Sequence, residues 1–206
     1  MSSITQLLLV RHAEVETRYH RVFGGRIDMG LSPRGHEQST ALAKYLSGRH
    51  FDAIYASPMK RVQETIQPLL AVKEHRPVIL PGLREVDFGD WTGLGWEDVQ
   101  KRFGESPFEW LEKMARDGFP NGENELAFRS RVEPCVEQIL RDHSGQKILV
   151  ACHGGTVRMI LSILLNLALP KTTHFEVDYA SLTKVEINPQ RRQIELLNLT
   201  PWRDIR

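Results

Sequence analysis

The chain has 206 residues, of which 41 % are hydrophobic and 26 % charged, a globular balance that excludes disorder and collagen-like repeats. Lys and Arg number 27 against 26 Asp and Glu, and the resulting net charge of +1 lacks the basic footprint of a nucleic-acid binder.

The first element is Gln6-Leu7-Leu8-Leu9-Val10, an unbroken apolar run of strand length followed at once by Arg11-His12-Ala13-Glu14. Such a run reads as a strand covered on both faces, as in a parallel sheet between helices. Thr17 to Gly30 holds Arg18, Arg21, Arg26 and the pair Gly24-Gly25, and reads as a basic loop. Ser32-Pro33 supplies an N-cap and a first-turn proline for a helix to about Ser47. The same grammar returns with the strand Asp52 to Ala56 and with Ser57-Pro58, expected to cap a helix whose Val62, Ile66, Leu69 and Leu70 share one face. Val78-Ile79-Leu80 is a third strand, ended by Pro81-Gly82. The segment after Arg84, about residues 86–124, is rich in Trp and Gly and reads as an insertion able to cover a site as a lid. Glu125 to His143 is a long amphipathic helix, Lys147 to Cys152 a buried strand, and His153-Gly154-Gly155 turns into a helix from about Thr156 to Leu167. Leu182 to Ile187 and Gln193 to Leu197 pair across Asn188-Pro189-Gln190. No repeat or linker divides the chain, so 1–206 is expected to form one domain.

Strands alternating with helices argue an α/β fold with a mostly parallel sheet, whose ligands bind beyond the carboxyl ends of the strands. Arg11-His12, Ser57 to Arg61 and His153-Gly154-Gly155 each follow a strand and would meet at one rim. Two histidines, two arginines and helix N-termini at one place suit a phosphate group: the guanidinium fork matches its oxygens, and a neutral imidazole can attack phosphorus. Leaving-group protonation and water attack need an acid and base, and Glu85 is the carboxylate best placed for both, with Asp87, Asp90 and Glu97 nearby in sequence as alternatives.

The segments Leu9-Val10-Arg11-His12-Ala13-Glu14, Gly30 to Gly35, Ser57-Pro58-Met59-Lys60-Arg61 through Glu64-Thr65, Leu83-Arg84-Glu85 with Phe88-Gly89-Asp90-Trp91, Pro120-Asn121-Gly122-Glu123, and His153-Gly154-Gly155 resemble, in order, the histidine phosphatase superfamily. That superfamily includes the cofactor-dependent phosphoglycerate mutases. The Phe88 to Trp91 and Pro120 to Glu123 segments look most like its alpha-ribazole and broad-specificity phosphatase branch. The resemblance implies a three-layer α/β/α sandwich of the phosphoglycerate mutase type. It implies a phosphohistidine on His12, phosphate clamps at Arg11 and Arg61, His153 as the second histidine and Glu85 as proton donor, with neither metal nor cofactor. Expected substrate contacts are Arg11, Arg61, Ser57, Gly24, Gly154, Arg18 and Arg84, the last two, with Arg21 and Arg26, as readers of a second anionic group. Ala13 stands where the family has glycine. The interval from Glu85 to His153 is shorter than the segment that in the mutases carries basic residues for a phosphoglycerate carboxylate. A metal-independent phosphomonoesterase acting on alpha-ribazole phosphate or another small metabolite phosphate is therefore expected, ahead of a mutase or a non-catalytic phosphate-binding module.

Cys152 to Arg158 also has the outline of a cysteine phosphatase loop, but Met159 stands where such loops continue with Ser or Thr. Metal readings fail on spacing: the cysteine that would complete a zinc deaminase pattern after Cys135 is replaced by Gln138, and Thr40 stands where a zincin that began at His36 would have its second histidine. His20, His36, His50, His75, His143 and His174 read as ordinary surface or core residues. Only Cys135 and Cys152 are present, so a reducing, cytoplasmic setting is expected. The longest apolar run, Met159 to Leu169, is interrupted and short of the about 20 residues a spanning helix needs, so no membrane partner is expected. The partner expected is the small-molecule phosphomonoester, with no nucleic acid, and a homodimer is left open.

Overall fold

Strand β1 (Thr5–Arg11) lies inside a six-stranded sheet with β2 (Ala53–Ala56), β3 (Val78–Ile79), β4 (Lys147–Cys152), β5 (Leu182–Ile187) and β6 (Arg192–Leu199). This computed structural model describes residues 4–73 and 76–205; His75 lies outside them. The strand order is β3-β2-β4-β1-β5-β6. The first four positions are parallel, while β5 runs antiparallel to β1 and pairs with β6 as a hairpin. The connecting helices are α1 (Pro33–Ser47), α2 (Lys60–Lys73), α3 (Trp96–Phe103), α4 (Trp110–Arg116), α5 (Glu125–Asp142), α6 (Gly154–Leu165) and the short α7 (Pro201–Asp204).

Alternate residues of β1 serve opposite faces, which makes three layers. Leu8 and Val10 pack with Leu42 and Leu46 of α1 and Val62 and Ile66 of α2. Leu7 and Leu9 pack with Phe128 and Val132 of α5 and Val157 and Ile160 of α6. Trp91, Val99, Leu111, Met114 and Phe119 of the segment after Glu85 are buried in that second cluster.

Local chemistry sets the helix starts. The Ser32 hydroxyl accepts from the Gly35 N–H at 2.9 Å with Pro33 in the first turn, and the Asn124 side chain accepts from the Ala127 N–H at 2.8 Å. The expected cap at Ser57 is a correction: α2 begins at Lys60, and the Met59 carbonyl takes its first bonds, from Val62 and Gln63. The Ser57 hydroxyl is engaged elsewhere. The third strand is also shorter than expected, a two-residue edge strand with both side chains exposed. No helix among the described residues is long and apolar enough to cross a membrane.

Candidate active site

Strand register brings the three polar clusters to one level. Arg11 is opposite Cys152 and Ala56 is opposite Ala151, so His12, Ser57 and His153 leave the sheet together at its carboxyl edge. The rings of His12 and His153 stand 5.3 Å apart at an interplanar angle of 60°. The loop after β1 is tied down from both neighbouring helices. Ala13 N–H donates to the Thr65 hydroxyl at 2.8 Å, Glu14 N–H donates to Gln38, and the Ser32 hydroxyl donates to the Glu14 carboxylate at 2.7 Å.

The two buried imidazoles are fixed in opposite tautomers. His12 Nδ1 is 2.8 Å from the Ala13 carbonyl, which can only accept, so Nδ1 carries the proton and Nε2 the lone pair. His153 Nδ1 instead receives the Arg61 Nε–H at 3.1 Å, so its proton is on Nε2 and is donated to the Ser57 hydroxyl at 2.8 Å. Burial, then the charges of Arg61 and Arg11, hold His12 well below the ordinary histidine pKa. Burial and Arg61 do the same to His153. Both rings are therefore neutral at pH 7.

Among the described residues Arg11, Arg61 and Arg158 form no ion pair with a carboxylate. Arg61 is 2 % exposed, and its fork is held by His153, the Ile27 carbonyl at 2.8 Å and the Gly25 carbonyl at 3.2 Å, which leaves two of its five N–H donors for a ligand. Burial brings its pKa down to about 10, still cationic at neutral pH. Arg11 donates to the Val177 carbonyl at 2.6 Å and lies 4.1 Å over the Tyr179 ring, while its buried Nε has no partner. Arg158 is held by the carbonyls of Thr172 and Phe175. Arg11, His12, Arg61 and Arg158 line one cavity of about 360 Å³ with a single carboxylate, Glu85. One buried and two half-buried cations held by carbonyl dipoles rather than by counter-ions make a site for an anion.

Glu85 is placed by two backbone donors, Val86 N–H at 3.0 Å and Gly155 N–H at 3.2 Å. Position 155 must be glycine for that approach, because a Cβ there would stand 2.5 Å from Glu85 Oε1. Arg131 holds the Glu85 strand from behind: it donates to the carbonyls of Gly82, Arg84 and Glu85 at 2.8, 2.7 and 2.9 Å and forms a two-point pair with Glu123. Among the described residues no three His, Cys, Asp or Glu side chains are grouped as metal ligands.

A profile of the Histidine phosphatase superfamily (branch 1) matches residues 7–200. The chain belongs to the histidine phosphatase superfamily. It is 32 % identical over 197 residues to Phosphoserine phosphatase 1 of Hydrogenobacter thermophilus, covering 96 % of this chain and 93 % of that one. Against the Adenosylcobalamin/alpha-ribazole phosphatase of Escherichia coli the identity is 28 % over 94 % of this chain and 95 % of the relative. The crystal structure of the alpha-ribazole phosphatase from Shigella flexneri superposes with a TM-score of 0.83 at 28 % identity, covering 95 % of this chain and 96 % of that one. As a histidine phosphatase, this chain is a phosphoric monoester hydrolase for small molecules.

Of the residues singled out from sequence, Arg11, His12, Gly24, Arg61, Glu85 and Gly154 line the histidine phosphatase cavity. His153 and Ser57 sit directly behind that lining, both fully buried. The expected second-anion readers are elsewhere, which corrects that expectation. Arg18 pairs with Glu16 at 2.7 Å, Arg21 lies over Trp96, Arg26 bonds Asp87, and Arg84 is exposed with its Nε–H on the Pro81 carbonyl. Sequence reading passed over Tyr179 and met Arg158 only as the arginine of the rejected cysteine loop. Tyr179 was findable from the pairing of β5 with β1, which brings the loop before β5 beside His12. Cys152 is buried away from the cavity, and burial raises its thiol pKa, so it is held as an inert thiol.

Proposed function

We propose that hydrolysis runs through a phosphohistidine on His12 Nε2, with Glu85 as acid and then base. The observation that carries this reading is the pairing of a neutral, Nδ1–H His12 with unpaired arginine donors in one cavity. Arg11, Arg61 and the N-terminus of α6 take the negative oxygens of the phosphoryl group. The Nε2 lone pair forms the N–P bond as the ester P–O bond breaks, and the Glu85 carboxyl group gives a proton to the leaving alcohol oxygen. The carboxylate then takes a proton from water, whose oxygen attacks phosphorus. The N–P bond breaks, phosphate leaves, and Glu85 is again protonated. His153 acts from below: its Nδ1 receives Arg61 Nε–H and fixes the fork that faces the phosphoryl group. Two reduced, buried cysteines fit a reducing, cytoplasmic setting.

The test is to mix the protein with a ³²P-labelled phosphomonoester, quench, and map the label, with His12→Ala as control. Label on His12 that is lost in acid and survives base is the expected result. Label on Cys152, or phosphate release with no labelled histidine, would overturn the mechanism, and absence of any phosphate release would leave a non-catalytic phosphate-binding role.

A further inference from the structure

The active cavity has two chemically different halves. Its charged groups gather at the phosphoryl end, where Arg158 is close enough for its field to act with those of Arg11 and Glu85. The remaining wall includes Tyr19, Val22, Phe88, Trp96, Phe108 and Trp110, none charged at neutral pH. Trp96 and Phe108 meet edge to face at 5.0 Å, and Phe88 and Trp110 at 5.6 Å. These are aromatic faces and edges, and no charged side chain stands among them.

Charges that could have served one are turned away. Arg18, Arg26 and Arg84 are outside the cavity on the partners given above. Arg21, Glu97 and Asp98 line a neighbouring groove that shares only Trp96, Pro107 and Phe108 with the cavity, so those three form a partition. A carboxylate or ammonium set against this wall would lose its hydration without gaining a charged partner. An apolar ring would bury area and stack at no such cost. The volume of about 360 Å³ is at the small end for ligand sites and favours a compact body.

We infer that the preferred substrates are phosphomonoesters of uncharged alcohols with an apolar or aromatic body, and that esters whose alcohol carries a carboxylate or ammonium are discriminated against. The inference rests on the hydrolase reading above and adds the class of leaving alcohol. Trp96 and Phe108 are its specificity-determining residues.

The experiment compares kcat/KM for benzyl phosphate and O-phosphoserine. Both are esters of primary alcohols, and the serine hydroxyl is the better leaving group, so a preference for benzyl phosphate comes from the wall. We expect benzyl phosphate to lead by about tenfold or more. Phe108→Ala truncates an exposed side chain and leaves the core intact, and should shrink that ratio about fivefold through a higher KM for benzyl phosphate. Equal or faster turnover of O-phosphoserine, or a ratio that Phe108→Ala does not move, would overturn the inference and leave hydrolysis on His12 standing. Phosphate release from neither ester, with another phosphomonoester still labelling His12, would likewise overturn the inference and leave the hydrolase standing.

Discussion

His12 and His153 are neutral for the same reason and protonated on different nitrogens for different ones. Each faces cationic guanidinium groups in a dry site, which penalises the imidazolium form. What sets the tautomer is the single group on Nδ1, a carbonyl for His12 and an arginine N–H for His153. Long-range ¹H–¹⁵N NMR at pH 6 should therefore show two non-titrating rings of opposite tautomer. A ring with its midpoint near 6.5, or two rings of one tautomer, would contradict the arrangement. Residue identity made the cluster legible in the sequence, because an arginine and a histidine that end a buried apolar strand have to be satisfied at a site. It did not reveal where Arg18 and Arg84 point. Nothing in local sequence says that Glu16 captures one guanidinium and that the Pro81 carbonyl receives the other's Nε–H.

Elements place these residues by short, specific links. Glu85 stands on a stretch between a 3-10 turn at Pro81–Leu83 and the Trp-rich segment, and its backbone is held by the Arg131 fork from α5. Lysine cannot reproduce three carbonyl contacts and a two-point carboxylate pair. Arg131→Lys should thus lower kcat about tenfold or more through a displaced proton donor, with KM changing far less, as steady-state kinetics with a thermal melt of the variant would show. A fall in Tm with kcat intact would assign Arg131 a purely structural role. The strands β1 and β4, the cap of α1 and the β5–β6 hairpin were legible because each is written in local pattern. The start of α2 was misread because Ser57-Pro58 has the form of a cap, while a contact across 96 positions of sequence, to His153, takes the hydroxyl. The cavity wall escaped for the same reason, as its aromatic groups come from separate elements, Trp96 opening α3 and Trp110 opening α4, that meet only by tertiary packing.

At the scale of the molecule, the buried histidines tie stability to pH. Both have folded-state pKa values below those of the unfolded chain, so the unfolded state binds more protons once pH falls below about 6.5. Their contribution is fully present above that value and is lost as pH falls, by up to about 1.4 kcal/mol per pH unit for each ring. Denaturant midpoints measured between pH 7.5 and 5 should decline with that slope, and His153→Asn should flatten it; a flat wild-type curve would show that the rings titrate normally. The sheet order carries a further consequence, for biosynthesis. The first strand made, β1, finds its neighbours only in β4 and β5, near the far end of the chain. On the ribosome the segment Leu7 to Val10 must wait unpaired until residues beyond Cys152 have emerged, and it keeps one apolar edge open until β5 follows, an edge of the kind that chaperones shield. The nucleophile at its end meets His153 only once β4 has paired with β1, and nascent chains halted before Val177 still lack the carbonyl and the Tyr179 ring that hold Arg11.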